Sequence, residues 1–414
     1  MKVLPICDEQ QFILDINEEL KSIPMQISYS MRFTTRFSPE ELYSAVEKCM
    51  MAADVLSARC VVKEGHGYME FLPYQKADIP IFHFSSEEEY QSFYMQSSET
   101  KINNRNKLYY IFIFSVSGSY YHLHFIFNHL ILDGISALVL SNKIQEALLN
   151  PNEEINCYPF SAHLESLIKY KDSDIYQKDQ AFWEDKFLEI SGSEYLFSEV
   201  IHASEAQVNS LAFQTDPKLK DLMTEYCKKN NISPHALIVT FLAQIMHQKT
   251  GCKRFYLEIP IANRLGEKEK NSLGAYEITF PFVFDFTTHP KPFDLMKTVQ
   301  KQSMDFYRHR NFDWNSKIES WTNERKQKRY IPQFCFSFLC RNKKPVYSFT
   351  TLQHYPSETD ILPMNLYVSD YLDWQTVTFC YTYWANYFND EEITKIQHDI
   401  EAGIVNMITS TEYD

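Results

Sequence analysis

Within Phe127-Asn128-His129-Leu130-Ile131-Leu132-Asp133-Gly134-Ile135-Ser136, a histidine stands four residues ahead of an Asp-Gly pair. Imidazole titrates near neutrality, so a well-placed histidine can take up a proton or orient a nucleophile at cellular pH. Asp133 can hold such a loop by pairing with a cation, and Gly134 permits a close backbone approach or a positive φ. A plainer reading fits equally well at this point: a hydrogen-bonded histidine beside an N-capping Asp-Gly turn. So short a pattern does not separate the two.

Placing His129 requires a strand ahead of it and a helix behind. Residues 108–116 and 120–127 read as two strands joined by Ser117-Gly118-Ser119, and the second runs directly into Asn128-His129. After Asp133-Gly134, Ile135, Leu138, Val139 and Ile144 recur at helical spacing. On the second strand, His122 and His124 share a face with Ile126, opposite Tyr121, Leu123 and Phe125. Upstream, Ser38-Pro39-Glu40-Glu41 is a helix start with a capping box, followed by Leu42, Val46, Cys49, Met50 and Ala53 on one face. Residues 58–72 read as a hairpin around Glu64-Gly65-His66-Gly67.

The same grammar returns in the second half. Ser233-Pro234 opens a helix with Leu237, Phe241, Leu242 and Ile245 inward, and strands follow at 255–261 and 279–286. More strands are expected at 334–340, 364–369 and 375–383. A final helix after Asn389-Asp390 aligns Ile393, Ile396, Ile400 and Ile404. The polar stretch from about Pro151 to Asn209 is the expected junction between two lobes of similar plan.

Composition narrows the chemistry. In 414 residues, 40 Lys+Arg face 54 Asp+Glu, a formal charge of −14, which argues against a nucleic-acid partner. Hydrophobic residues make up 44%, enough for a sizeable core. No apolar run reaches the roughly 18 residues a bilayer span needs, and the N-terminus lacks a signal-peptide pattern, so a cytoplasmic location without membrane partners is expected. Nine scattered cysteines without a C-x-x-C pair, and no H-E-x-x-H, predict neither disulfide framework nor metal. No G-x-S-x-G elbow or P-loop is present, which removes serine hydrolases and nucleotide-driven ligases. The five tryptophans, at 183, 314, 321, 374 and 384, fit core packing, and Arg325-Lys326-Gln327-Lys328-Arg329 fits a solvated loop.

Several of these segments together resemble the condensation domains of nonribosomal peptide synthetases, within the chloramphenicol-acetyltransferase-like acyltransferases. The loop resembles H-H-x-x-x-D-G, with Asn128 in place of the first His and Ser136 in the common D-G-x-S ending. Residues 27–60 are similar to the opening strand, helix and turn, through Leu56-Ser57-Ala58-Arg59. Asp179 with Phe182-Trp183 is similar to D-x-x-[FY]-W, and Pro260-Ile261-Ala262-Asn263-Arg264 with Gly274 and Phe280-Pro281 is similar to P-x-x-N-R…G…P. Order and spacing agree over roughly residues 25–410.

The resemblance implies an α/β fold of two chloramphenicol-acetyltransferase-like lobes, 1–175 and 176–414. Each would be a mostly antiparallel or mixed sheet with flanking helices, the two arranged as a V around a central tunnel. By the same resemblance His129 is the catalytic residue, and Asp133 holds the loop, with Arg264 its candidate partner. Gly134 would offer a backbone N–H to an oxyanion, while Asn128 and Ser136 support. Asn128 leaves an ester-forming or a degenerate member open. The expected activity is a free-standing acyltransferase joining an amine or alcohol to a thioester-bound acyl group, with no permanently bound cofactor. The thioester would arrive on the phosphopantetheine of an acyl or peptidyl carrier protein. Two alternatives are a coenzyme A donor and a non-catalytic carrier-binding member.

Overall fold

Ser38 caps its helix as its neighbours predict. Glu41 N–H donates to the Ser38 hydroxyl (3.2 Å) and Ser38 N–H donates to the Glu41 carboxylate (2.8 Å), satisfying two donors that a helix start leaves free. The hairpin after it turns through Glu64 (φ 53°) and Gly65 (φ 82°), the paired positive angles that match the strand twist of a two-residue turn.

The computed structural model describes residues 2–19, 25–34, 36–98, 102, 105–197, 203–264, 266–341, 350–354, 361–371 and 375–410. In chain order it begins with β1 (Lys2–Pro5), α1 (Asp8–Glu19), β2 (Gln26–Thr34), α2 (Pro39–Ala52), β3 (Ala58–Lys63) and β4 (His66–Phe71). Next come β5 (Ile81–Phe84), α3 (Glu87–Ser98), β6 (Tyr109–Val116), β7 (Tyr120–Asn128), α4 (Gly134–Leu149) and α5 (Phe160–Lys171). The middle holds α6 (Asp174–Ser191), β8 (Val208–Gln214), α7 (Pro217–Asn230), α8 (Pro234–Thr250), β9 (Arg254–Ile261) and α9 (Glu267–Lys270). Then follow β10 (Ile278–Asp285), α10 (Pro292–Arg308), α11 (Ile318–Arg325) and β11 (Phe334–Arg341). The last elements are β12 (Thr350–His354), β13 (Met364–Tyr371), β14 (Thr378–Trp384) and α12 (Asp390–Thr409). The expected junction carries α5 and α6.

Two compact α/β units result. The first takes in β1 through α5 together with Ala262–Glu277 and β12. It contains a five-stranded sheet, β12-β2-β7-β6-β5, and a three-stranded one, β1-β4-β3. Its main core gathers Met31, Phe33, Leu123, Phe125 and Phe127 from the large sheet with Leu42, Val46 and Ile144 from α2 and α4. The second takes in α6 through β9, β10 through β11, and β13 through α12. Its six-stranded mixed sheet, β10-β9-β11-β13-β14-β8, presents Phe255, Leu257, Phe334, Phe336 and Leu366 to the apolar sides of α8, α10 and α12. The segment Ala262–Glu277 links β9 to β10, neighbours in the second unit's sheet, yet packs with the first unit. It lies beyond the 175/176 boundary expected from sequence.

The helix after the Asp-Gly pair forms as expected, though of its four residues at helical spacing only Ile144 is fully buried. In α4 the buried residues include Ala137, Leu140, Ser141, Ile144 and Leu148, together with the polar Ser136, Lys143 and Gln145, whereas Ile135, Leu138 and Val139 are only half-buried. Polar and apolar residues both spread around this helix, so its sequence sets no single face.

Candidate active site

The ladder that delivers His129 is complete to its last residue. Asn128 pairs with Gln26 of β2, and its N–H donates to the Leu108 carbonyl (2.8 Å). His129 is the first residue past the strand, and its N–H still finds the Met25 carbonyl (2.9 Å), so the backbone is held where the side chain leaves the sheet. The Asn128 side chain fastens the turn: its Oδ1 accepts from Leu130 N–H (3.0 Å) and its Nδ2 donates to the Ile102 carbonyl (3.4 Å). His129 itself stays partly exposed. Burial pushes its imidazole below the ordinary value, against the Asp133 charge, which pulls the other way. At neutral pH the ring is therefore uncharged and able to accept a proton.

Asp133, fully buried, ends the loop and caps α4, taking Ser136 N–H on Oδ1 (2.7 Å). Tyr276 and Glu277 N–H groups donate to its Oδ2 (2.9 and 3.1 Å). Arg264 grips both oxygens, Nη1 to Oδ2 at 2.7 Å and Nη2 to Oδ1 at 3.0 Å. The same Nη2 reaches the Ser136 hydroxyl (2.6 Å) and the Gly274 carbonyl (3.2 Å). Ser136 closes the ring, donating to Gly274 O (2.8 Å) and accepting Gly274 N–H (3.0 Å). Tyr276 lies under the guanidinium, 4.4 Å from its carbon to the ring centre. Burial alone would raise the Asp133 carboxyl, but the Arg264 charge and the converging donors outweigh it and hold it below the ordinary range. A side chain at Gly274 would collide with the Phe160 ring, so glycine is what lets this segment approach.

Gly134 is not at positive φ. It opens α4 in ordinary helical conformation, and an added Cβ would meet nothing within 4 Å. The close-approach and positive-φ readings of this glycine both give way to a third: it keeps space clear at the helix start. Its N–H has no acceptor among the described residues, so it remains free to meet an anion.

Sequence reasoning missed the first helix. Gln10 of α1 is completely buried and its Nε2 donates to the Leu130 carbonyl (2.5 Å). The available signal was a glutamine lying on the same helical face as Ile13 and Leu14, where a polar residue must have a partner.

The remaining candidates lie elsewhere. His122 stacks on Tyr90 (4.5 Å) and His124 meets Tyr94 edge-on (4.8 Å), on the sheet face opposite the main core. Burial pushes these imidazoles down to about 4 and about 3. Unfolded histidine titrates near 6.5, so falling pH protonates the unfolded chain first, and stability is lost from there down to the folded values. In His122→Phe that contribution is absent. The variant should gain up to about 3 kcal/mol relative to wild type between about pH 7 and about pH 4, read from urea unfolding. Glu258 and Glu277, raised to about 8 mainly by burial, slope the opposite way but cancel in the difference.

In the basic run, Arg325 pairs with Glu184 (2.8 Å), and Lys328 donates to the Ser193 carbonyl (3.0 Å) over the Tyr195 ring. Lys326, Lys328 and Arg329 are exposed. Trp183, Trp314, Trp321 and Trp384 are buried, and Trp374 lies outside the described residues. All nine cysteines are free thiols. Among the described residues no group of three or more His, Cys, Asp or Glu could hold a metal, and no helix is long and apolar enough to cross a membrane.

The family model described as Condensation domain matches residues 2–413. Surfactin synthase subunit 1 of Bacillus subtilis (strain 168) is 22% identical over 293 residues, 69% of this chain but 8% of that protein. A plipastatin synthase of the same strain is 20% identical over 281 residues, 66% of this chain and 11% of that protein. The chain thus spans about a tenth of the length of these relatives. Among solved structures, the first condensation domain of the CDA synthetase superposes with a TM-score of 0.82 at 12% identity, covering 99% of this chain and 97% of that one. The starter condensation domain of rhizomide synthetase RzmA, in complex with C8-CoA, gives 0.80 at 13% identity, covering 99% and 95%.

Proposed function

From the premise that the chain belongs to the condensation domain family, we propose that it transfers an acyl group from a thioester to an amine or hydroxyl, with His129 as its catalytic residue. The family as a whole performs amide- or ester-forming acyl transfer. In the proposed reaction the acceptor nitrogen or oxygen attacks the thioester carbonyl, forming a C–N or C–O bond. His129 takes the acceptor's proton, and the oxyanion rests against the Gly134 N–H at the positive end of α4. Collapse of the tetrahedral intermediate breaks the C–S bond, and the proton passes from His129 to the departing thiolate. A thioester is already activated, so proximity, proton handling and charge stabilisation suffice.

The observation that carries this reading is the neutral, partly exposed imidazole of His129, leaving a strand end on a backbone fixed at both sides. Asp133 and Arg264 stay out of the chemistry; they hold the loop and the helix start that frame it. We assign the donor to a carrier protein's phosphopantetheine thioester, in keeping with the synthase relatives. The C8-CoA complex of RzmA favours coenzyme A as the second reading. The test supplies the same acyl group on a holo carrier protein and on coenzyme A, with panels of amines and alcohols, and identifies products by mass. Product that depends on His129 and forms faster from the carrier supports the first reading. Faster transfer from coenzyme A supports the second, and equal product from His129→Ala removes both.

Gly134→Ala separates site from scaffold. Alanine fits the helix start and should stabilise the fold by about 0.4–1 kcal/mol, yet its methyl group enters the space that glycine keeps open. We expect thermal stability to rise slightly while kcat falls at least about tenfold, corresponding to about 1.4 kcal/mol of lost transition-state stabilisation.

A further inference from the structure

Two turns of α1 separate Gln10 from Asn17, about 10 Å along one side of the helix. Both residues act on the His129 loop. Asn17 Oδ1 accepts Met25 N–H (2.7 Å), and the Met25 carbonyl in turn accepts His129 N–H (2.9 Å). Gln10 Nε2 donates to the Leu130 carbonyl (2.5 Å), while its Oε1 accepts Cys7 N–H (3.2 Å). Because one end of that amide is claimed by a donor and the other by an acceptor, only one orientation satisfies both. With Asn128 on Leu130 N–H, the backbone on each side of the imidazole is anchored. All of these groups belong to one compact unit.

We propose that α1 is the element that positions His129 and that Gln10 is its working residue. It fixes the ring through the Leu130 carbonyl, without touching any reacting group. The proposal rests on the catalytic reading of His129 for its kinetic consequence, but its geometric content can be measured without a substrate. The loop carries Asn128, whose side chain holds Leu130 only at its N–H. The carbonyl side depends on Gln10, and a displacement of about 1 Å at a reacting group is enough to lower a rate by about a hundredfold.

Gln10→Glu makes the anchor switchable within one protein. A protonated glutamic acid donates to the Leu130 carbonyl and accepts Cys7 N–H, reproducing both bonds. Ionised, it sets a carboxylate against that carbonyl. Burial raises such a carboxyl above its ordinary value of about 4.3. Gln10→Met fills the same volume and makes neither bond at any pH. The readouts are the His129 imidazole resonances, assigned by comparison with His129→Ala, and the kinetics of acyl transfer. For Gln10→Met we expect kcat lower by about tenfold to a hundredfold with donor KM within about twofold. Its imidazole titration should move up toward the ordinary histidine value as the ring gains water. Gln10→Glu should match wild type near about pH 5.5 and Gln10→Met near about pH 8. Unchanged imidazole signals and kcat in Gln10→Met would overturn the proposal, as would Gln10→Glu behaving alike at both pH values. Should His129→Ala retain full turnover, the catalytic reading falls, while the imidazole titration still decides the role of Gln10.

Discussion

His129→Ala is expected to slow acyl transfer by about a hundredfold to ten-thousandfold, the range that loss of a positioned acid-base group produces. The donor KM should change little, because in the proposed reaction the imidazole acts on the proton in flight and not on the resting thioester. Its pH signature distinguishes proton transfer from passive lining. Burial holds the folded imidazole below the ordinary histidine value. The wild-type rate should therefore be flat through neutrality and fall only as pH drops through a point below about 6.5, where the ring gains its proton. An alcohol acceptor suits this measurement, since its own ionisation lies outside the range, whereas an amine adds a second limb. The residual activity of His129→Ala should lack the acid limb altogether. A limb that survives the substitution would assign the titration to another group, and a loss below about threefold would place His129 outside the proton path.

How much of this was legible beforehand depended on how local each signal is. The α2 cap, the β3–β4 turn and the isoleucine stripe of α12 are each written in a few adjacent residues, and each formed as read. The strand that carries His129 ends at Asn128, one residue beyond its expected limit. Pairings across long separations are a different matter. Periodicity proposes a strand but does not name its neighbour, so the pairing of β12 with β2 was out of reach. Arg264 and Asp133 are 131 residues apart, and only the resemblance suggested bringing them together. Gln10 was missed for a subtler reason. The first helix itself went unread although Gln10, Ile13 and Leu14 lie at helical spacing, and the partner of the amide is visible only once the Leu130 carbonyl stands opposite it. The inward face of α4 was not legible, because polar and apolar residues surround the helix: Leu140, Ile144 and Leu148 turn inward together with Ala137 and Ser141, while Ile135, Leu138 and Val139 stay half-buried. What the sequence states well is therefore the strand–loop–helix that presents the imidazole. What it leaves to the fold is the set of groups that hold it.

Arg264→Met should be the most destabilising single change at the site. The ion pair is almost wholly shielded from solvent, with side-chain exposures of 2% for Arg264 and 0% for Asp133. Removing the cation leaves a buried carboxylate, a loss of about 3–5 kcal/mol. Three backbone N–H groups still converge on Asp133 and soften the loss without removing it. The sign of the pH dependence then reverses. In wild type the Asp133 value is lowered, so its contribution is present above the unfolded value of about 3.8 and fades as pH falls through the folded one. Without Arg264, desolvation is opposed only by the backbone donors and the folded value climbs, so stability is lost as pH rises through the interval between the two. The gap between variant and wild type should accordingly be widest near neutrality and narrow toward about pH 4, followed by urea unfolding. Arg264→Lys should recover only part of it. One ammonium can meet an Asp133 oxygen, but it has no second arm for the other oxygen, the Ser136 hydroxyl and the Gly274 carbonyl at once. A gap of equal size at both ends of the pH range would mean that the arginine acts through packing on Tyr276 and not through its charge on Asp133.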